Sequence, residues 1–168
     1  MFDKFGEFDS AQEINEAAAA QLAEGDTEAV IAIAEENGID REDAEDFIDR
    51  TVQELCSPLM AAYGKLKVES KYLDISGILT DWKDAVAEAC TEDEAFCMAV
   101  RKRGKSLQEC MAALIKYAFE NKVRISDKIV DATKIMHHGK LVQMKGPLYL
   151  GVPGRAEVKR LIREYYMK

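Results

Sequence analysis

Apolar residues recur at helical spacing along most of the chain, and the punctuation between the runs is easy to read. Ser10-Ala-Gln-Glu13 has the form of a capping box, and Ile14, Ala17, Ala18 and Leu22 follow at i, i+3, i+4 and i+8, up to a stop at Gly25. A second short helix is expected from Thr27, with Val30, Ile31, Ile33 and Ala34 as its apolar set and Asn37-Gly38 as its end. Asp40 is placed to cap a third, whose stripe would run through Ala44, Phe47, Ile48, Val52 and Leu55. Pro58 restarts the chain for a turn or two through Leu59–Leu66, and residues 67–76 read as a connector. Beyond it, Ile78, Trp82, Ala85, Val86 and Ala89 mark an amphipathic helix, and two further capping boxes follow at Thr91–Glu94 and Ser106–Glu109. The second of these opens the strongest stripe in the chain, Leu107, Cys110, Met111, Leu114, Ile115 and Ala118.

After a short helix capped by Ser126, the period changes. Lys134-Ile-Met, His-His-Gly-Lys and Leu-Val-Gln-Met predict a hairpin with Gly139 in its turn. Pro147 and Pro153 bracket Leu148-Tyr149-Leu150, and Val158, Leu161, Ile162 and Tyr165 predict a last helix. The expected fold is therefore mainly α: a compact multi-helix fold with one short β-hairpin before the C-terminal helix. Two units are expected, an acidic helical segment over 1–66 and a basic helical domain over 77–168, which one core could also unite.

The 168 residues, 48% hydrophobic and 32% charged, suffice for a buried core. No uncharged run approaches the ~20 apolar residues that span a bilayer. MFDKFGEFDS lacks the basic-then-apolar build of a signal peptide, so a soluble, cytoplasmic protein is expected. Cys56, Cys90, Cys97 and Cys110 show no C-x-x-C spacing and fall among apolar residues on expected helices, which points to buried, reduced thiols. His137 and His138 precede Gly139 in a turn, and two ligands do not close a metal site.

The net charge of −8 is segregated: −13 over residues 1–50, −5 over 51–100 and +10 over 101–168. Either the halves pack on one another, or they present solvated faces, or they meet charged partners. No phosphate-binding Gly loop, dinucleotide fingerprint or nucleophile elbow is present, so no enzyme and no cofactor is expected. The most distinctive polar feature is Arg101-Lys102-Arg103-Gly104-Lys105-Ser106, four cations where one helix ends and the next begins. The cations suit the end of a helix dipole, and the loop also suits recognition of an anion or of a nucleic-acid backbone.

The stretch Arg101-Lys-Arg-Gly-Lys-Ser-Leu-Gln-Glu-Cys110, the helix Leu114–Phe119 and Val123-Arg-Ile-Ser-Asp-Lys-Ile-Val130 resemble the PcfK-like domain of mobile genetic elements. Phe5-Gly-Glu-Phe-Asp-Ser-Ala-Gln-Glu-Ile-Asn15, Glu24-Gly-Asp-Thr-Glu28, Glu35-Glu-Asn-Gly-Ile-Asp40, Gly64-Lys-Leu66 and Tyr165-Tyr166 resemble a longer family that joins this domain to an acidic helical segment. That family includes type II-A anti-CRISPR proteins, inhibitors of the RNA-guided Cas nuclease. The resemblance implies an inhibitor acting in a bacterial host cell. Its partner would be a type II Cas effector nuclease, with or without guide RNA, and it would need neither membrane nor small-molecule substrate. Such nucleases hold nucleic acid in cationic channels, so an acidic surface of Glu35, Glu36, Glu42, Asp43, Glu45, Asp46 and Asp49 could occupy one as a DNA mimic. A competing expectation puts the contact on Arg101, Lys102, Arg103 and Lys105. The alternative functions are a nucleic-acid accessory protein of a conjugative or phage element, and a structural adaptor that oligomerises through an apolar helix face.

Overall fold

A computed structural model describes all 168 residues. It is mainly α-helical, with nine helices and a short β-hairpin before the last. Helix α1 spans Ala11–Glu24, α2 Thr27–Glu36, α3 Arg41–Ile48, α4 Pro58–Tyr72 and α5 Ile78–Glu92. Then come α6 Glu94–Arg101, α7 Leu107–Glu120, β1 Val123–Arg124, α8 Asp127–Ala132, β2 Lys134–His137, β3 Lys140–Gln143, β4 Tyr149–Leu150 and α9 Arg155–Met167.

Side-chain caps set most of the starts. Ser10 Oγ accepts from Glu13 N at 3.1 Å, while Glu13 reaches back to Asp9 N at 2.7 Å, one residue before the cap itself. Asp26 caps α2 through Ala29 N, and Ser57 caps α4, with Pro58 in the first helical position where no N–H is needed. At α7 the box closes through a phenol. Ser106 Oγ accepts from Glu109 N, Ser106 N donates to Tyr165 Oη, and Tyr165 donates to Glu109 Oε2, the last two bonds at 2.8 Å each.

Several expectations are corrected. Thr91 does not cap α6: α5 runs on to Glu92, Thr91 Oγ1 donates to Glu88 O, and Asp93 is the cap. Asp40 and Ser126 cap nothing with their side chains, and Asp40 instead pairs with Lys67 at 2.7 Å. Helix α3 ends at Ile48 because Arg50 turns into the left-handed region (φ 61°). Val52 is consequently exposed, and Leu55 and Cys56 are buried from a loop rather than a helix. The expected connector over 67–76 is mostly helix, since α4 continues to Tyr72.

The later turns of α4 read as connector because of what the helix does. Its neighbours Ala61 and Ala62 face different cores. One core gathers Ile14 and Ala18 of α1, Val30 and Ile33 of α2, and Ala44 and Phe47 of α3 around Ala61. The other gathers Trp82 and Val86 of α5, Phe96 and Val100 of α6, Leu107 and Leu114 of α7, and Val158 and Ile162 of α9 around Ala62 and Leu66. A helix shared between two cores has no single apolar stripe, so its period fades from the sequence. Gly64 lets the end of α2 lie against it; a Cβ there would fall 2.1 Å from Asn37 O.

The hairpin pairs Lys134 with Gln143, Ile135 with Val142, Met136 with Leu141 and His137 with Lys140. His138 (φ 48°) and Gly139 (φ 75°) form the two-residue turn, whose twist matches the strands. A second, unanticipated pair joins β1 to β4, Val123 opposite Leu150 and Arg124 opposite Tyr149. No helix is long and apolar enough to cross a membrane.

Candidate functional site

The sequence nominated an acidic face and a basic loop, and the structure treats them differently. On α3 the helical period turns Ala44 and Phe47 inward, which leaves Glu42, Glu45 and Asp46 exposed, Asp43 half-buried beside them, and Asp49 exposed at the C-cap. Arg41 takes up two of the nominated carboxylates, pairing with Glu45 at 2.8 Å and Glu35 at 3.9 Å. Glu36 is not a surface group in function. Its two oxygens accept from Lys4 N (2.6 Å) and Phe5 N (2.9 Å), pinning the N-terminal segment across the end of α2. Glu42, Asp43, Asp46 and Asp49 form no ion pair and no side-chain hydrogen bond within the chain, and neither does Glu54 beyond them. Asp43, Asp46 and Glu54 border a groove of about 410 Å³ whose apolar lining is Val52, Leu55, Cys56 and Met60.

The basic loop is largely consumed by the fold, contrary to its reading as a cationic surface. Arg101 is 1% exposed. Its Nη2 donates to Asn37 Oδ1 at 2.5 Å, the Phe2 ring centre lies 5.7 Å from its Cζ, and Nε and Nη1 are buried without partners. Burial lowers the guanidinium's pKa, opposed chiefly by the charge of Glu7. Lys105 Nζ donates to Tyr165 O at 2.8 Å. Arg103 N donates to Asp9 Oδ1 at 2.7 Å, and its guanidinium lies 3.6 Å from Glu13. Only Lys102 is both exposed and unpaired.

Two residues that the sequence reading passed over hold this loop. Lys65, 1% exposed, donates from Nζ to Lys102 O at 2.8 Å and Arg101 O at 3.4 Å, the open carbonyls at the end of α6. Its charge is balanced by Glu7 at 2.6 Å. One turn along α4, Glu69 accepts from Leu107 N at 2.7 Å, at the start of α7. A cation thus meets the negative end of one helix dipole and an anion the positive end of the next. Burial raises the Glu69 carboxyl above its ordinary range, opposed by the Leu107 N–H and by Lys65. The signal available in the sequence is Lys65 and Glu69 at i, i+4 near the small and apolar residues Ala61, Ala62, Gly64 and Leu66.

All four cysteines are buried and free. Burial pushes the thiols of Cys56 and Cys110 up to about 12, which keeps them protonated and poor nucleophiles at neutral pH. No group of three or more His, Cys, Asp or Glu side chains is placed to hold a metal ion. Of the two nominated surfaces, the acidic face of α3 is the less neutralised. No protein-family model, no curated protein and no solved structure matches the chain.

Proposed function

We propose that this protein is a PcfK-like anti-CRISPR inhibitor that seats the acidic face of α3 in the cationic nucleic-acid channel of a type II Cas effector nuclease. One observation carries the reading: Glu42, Asp43, Asp46 and Asp49 are left unpaired by the fold, whereas the competing basic loop is spent on internal contacts. The charge density is appropriate. These four carboxylates lie along about 10 Å of helix axis at 1.5 Å per residue, roughly one per 2.6 Å. Duplex DNA carries one phosphate charge per about 1.7 Å.

The test is plasmid cleavage by a purified type II nuclease and guide, with the protein added before or after DNA. Dose-dependent protection, strongest when the protein is added first, is expected. A variant carrying Glu42→Gln, Asp43→Asn, Asp46→Asn and Asp49→Asn should lose protection while keeping its helical circular dichroism. Full protection by that folded variant overturns the mimicry. Absence of protection across several nuclease orthologues overturns the inhibitor reading itself.

A further inference from the structure

Residues 119–152 carry a surface that neither nominated patch includes. Both strands of the β2–β3 hairpin are exposed along their whole length. Its register puts Lys134, Met136, Leu141 and Gln143 on one face, and Ile135, His137, Lys140 and Val142 on the other. Met136 is 71% exposed and Leu141 63%, and in the adjoining segments of the chain Phe119, Val123, Tyr149 and Leu150 are each at least half exposed. A two-stranded ribbon open to water on both faces is marginal on its own, and so large an exposed apolar content marks a contact surface.

Charge identifies the partner. Between Asn121 and Gly154 there are six Lys or Arg against Asp127 and Asp131. Arg124 pairs with Asp127, but Lys122, Lys128, Lys134, Lys140 and Lys145 are exposed and make no ion pair. The occupant is therefore a polyanion. A lipid surface meets one face of the ribbon and would leave Lys140, on the face opposite Met136 and Leu141, turned away from its headgroups. A two-stranded ribbon does fit the ~12 Å major groove of B-form DNA, with phosphates on both walls. The acidic half does not forbid the approach. No hydrogen bond or ion pair joins residues 121–152 to residues 1–57, and at physiological salt charges act over only about 8 Å.

We propose that the β2–β3 ribbon, with the lysines around it, binds duplex DNA in the major groove. The ribbon's lysines make the phosphate contacts, and Met136 and Leu141 meet the groove floor, where thymine methyl groups offer apolar contact. This contact is independent of the acidic face, so the protein can engage DNA and a protein partner at once.

The experiment is fluorescence-anisotropy titration of a labelled 20-base-pair duplex with the full-length protein between 50 and 200 mM salt, with no nuclease present. Four phosphate contacts predict a log–log slope of about −3.6, an affinity loss of about 150-fold over that range. The variant Lys134→Gln, Lys140→Gln, Lys145→Gln should bind more weakly and flatten the slope by about three. Because these side chains are solvent-exposed, the fold should be unchanged by circular dichroism. The proposal is overturned by no DNA binding at 50 mM salt, by an unchanged slope in the variant, or by binding to anionic phosphatidylglycerol vesicles without binding to DNA. Self-association by light scattering with no DNA binding would assign the surface to a second copy and overturn it equally.

Discussion

Arg101 Nη2 and Asn37 Oδ1 meet at 2.5 Å across 64 residues of chain, and this bond ties the end of α6 to the end of α2. Asn37 is fully buried and donates from Nδ2 to Ile33 O, so it is already fixed as the C-cap of α2 when it receives the guanidinium. It is the only hydrogen-bond partner of that buried side chain.

Removing Asn37 should therefore cost more than removing the charge it serves. Asn37→Ala leaves a buried cation with no acceptor and is expected to destabilise the protein by about 3 kcal/mol. Arg101→Met removes the charge and fills similar space, and the expected cost is under about 1.5 kcal/mol. Urea denaturation of both variants decides the order; the reverse order would mean that the guanidinium is a net stabiliser. A practical consequence concerns surface mapping. Charge reversal at Arg101 would unfold the region rather than probe a contact, so Lys102 is the residue to reverse.

Glu69 makes stability depend on pH. Its folded pKa is raised by burial, so the contribution of the protonated carboxyl is complete below the ordinary Glu value of about 4.3 and is lost as pH rises through the raised folded value. Glu69→Gln keeps an acceptor for Leu107 N and removes the titration. The stability difference between variant and parent should therefore move in the variant's favour as pH rises from 4 and level off above the raised folded value. Urea midpoints at three pH values check this, and a constant difference would show that Glu69 does not titrate in the fold over this range.

The contact between α2 and α4 depends on two glycines facing each other. A Cβ on Gly64 would lie 2.1 Å from Asn37 O, and one on Gly38, at φ +72°, would lie 2.3 Å from Gly64 O. Both obstacles are backbone, so neither can swing aside. Gly64→Ala is expected to cost about 3 kcal/mol, the upper range for overpacking. It should also separate the α1–α3 core from the rest, visible as earlier loss of protection in α1–α3 amides during hydrogen exchange. A substitution tolerated within about 0.5 kcal/mol would contradict the close approach.

Much of this protein is written locally. The caps at Ser10 and Ser106, the stops at Gly25 and Asn37-Gly38, the His138-Gly139 turn and the stripe of α7 are satisfied within a few residues. Sequence alone therefore determines the α-helical class and the hairpin, because a helix end or a tight turn finds its hydrogen-bond partners in its own neighbourhood. The burial of the four cysteines follows instead from residue type, since a free Cys packs as a small hydrophobe.

The fate of the charges was not legible. Arg101 and Lys102 are adjacent cations in sequence, yet one is buried against Asn37 and the other is free. Glu36 and Glu42 are both acidic residues of the N-terminal half, yet one clamps Lys4 and Phe5 while the other faces water. Whether a charge is structural or available is decided by partners 31 to 94 residues away, which no local pattern encodes. Only the packing of α4 between two cores brings Lys65 and Glu69 to the ends of α6 and α7, and with that the basic loop becomes structure and the acidic face of α3 remains as surface.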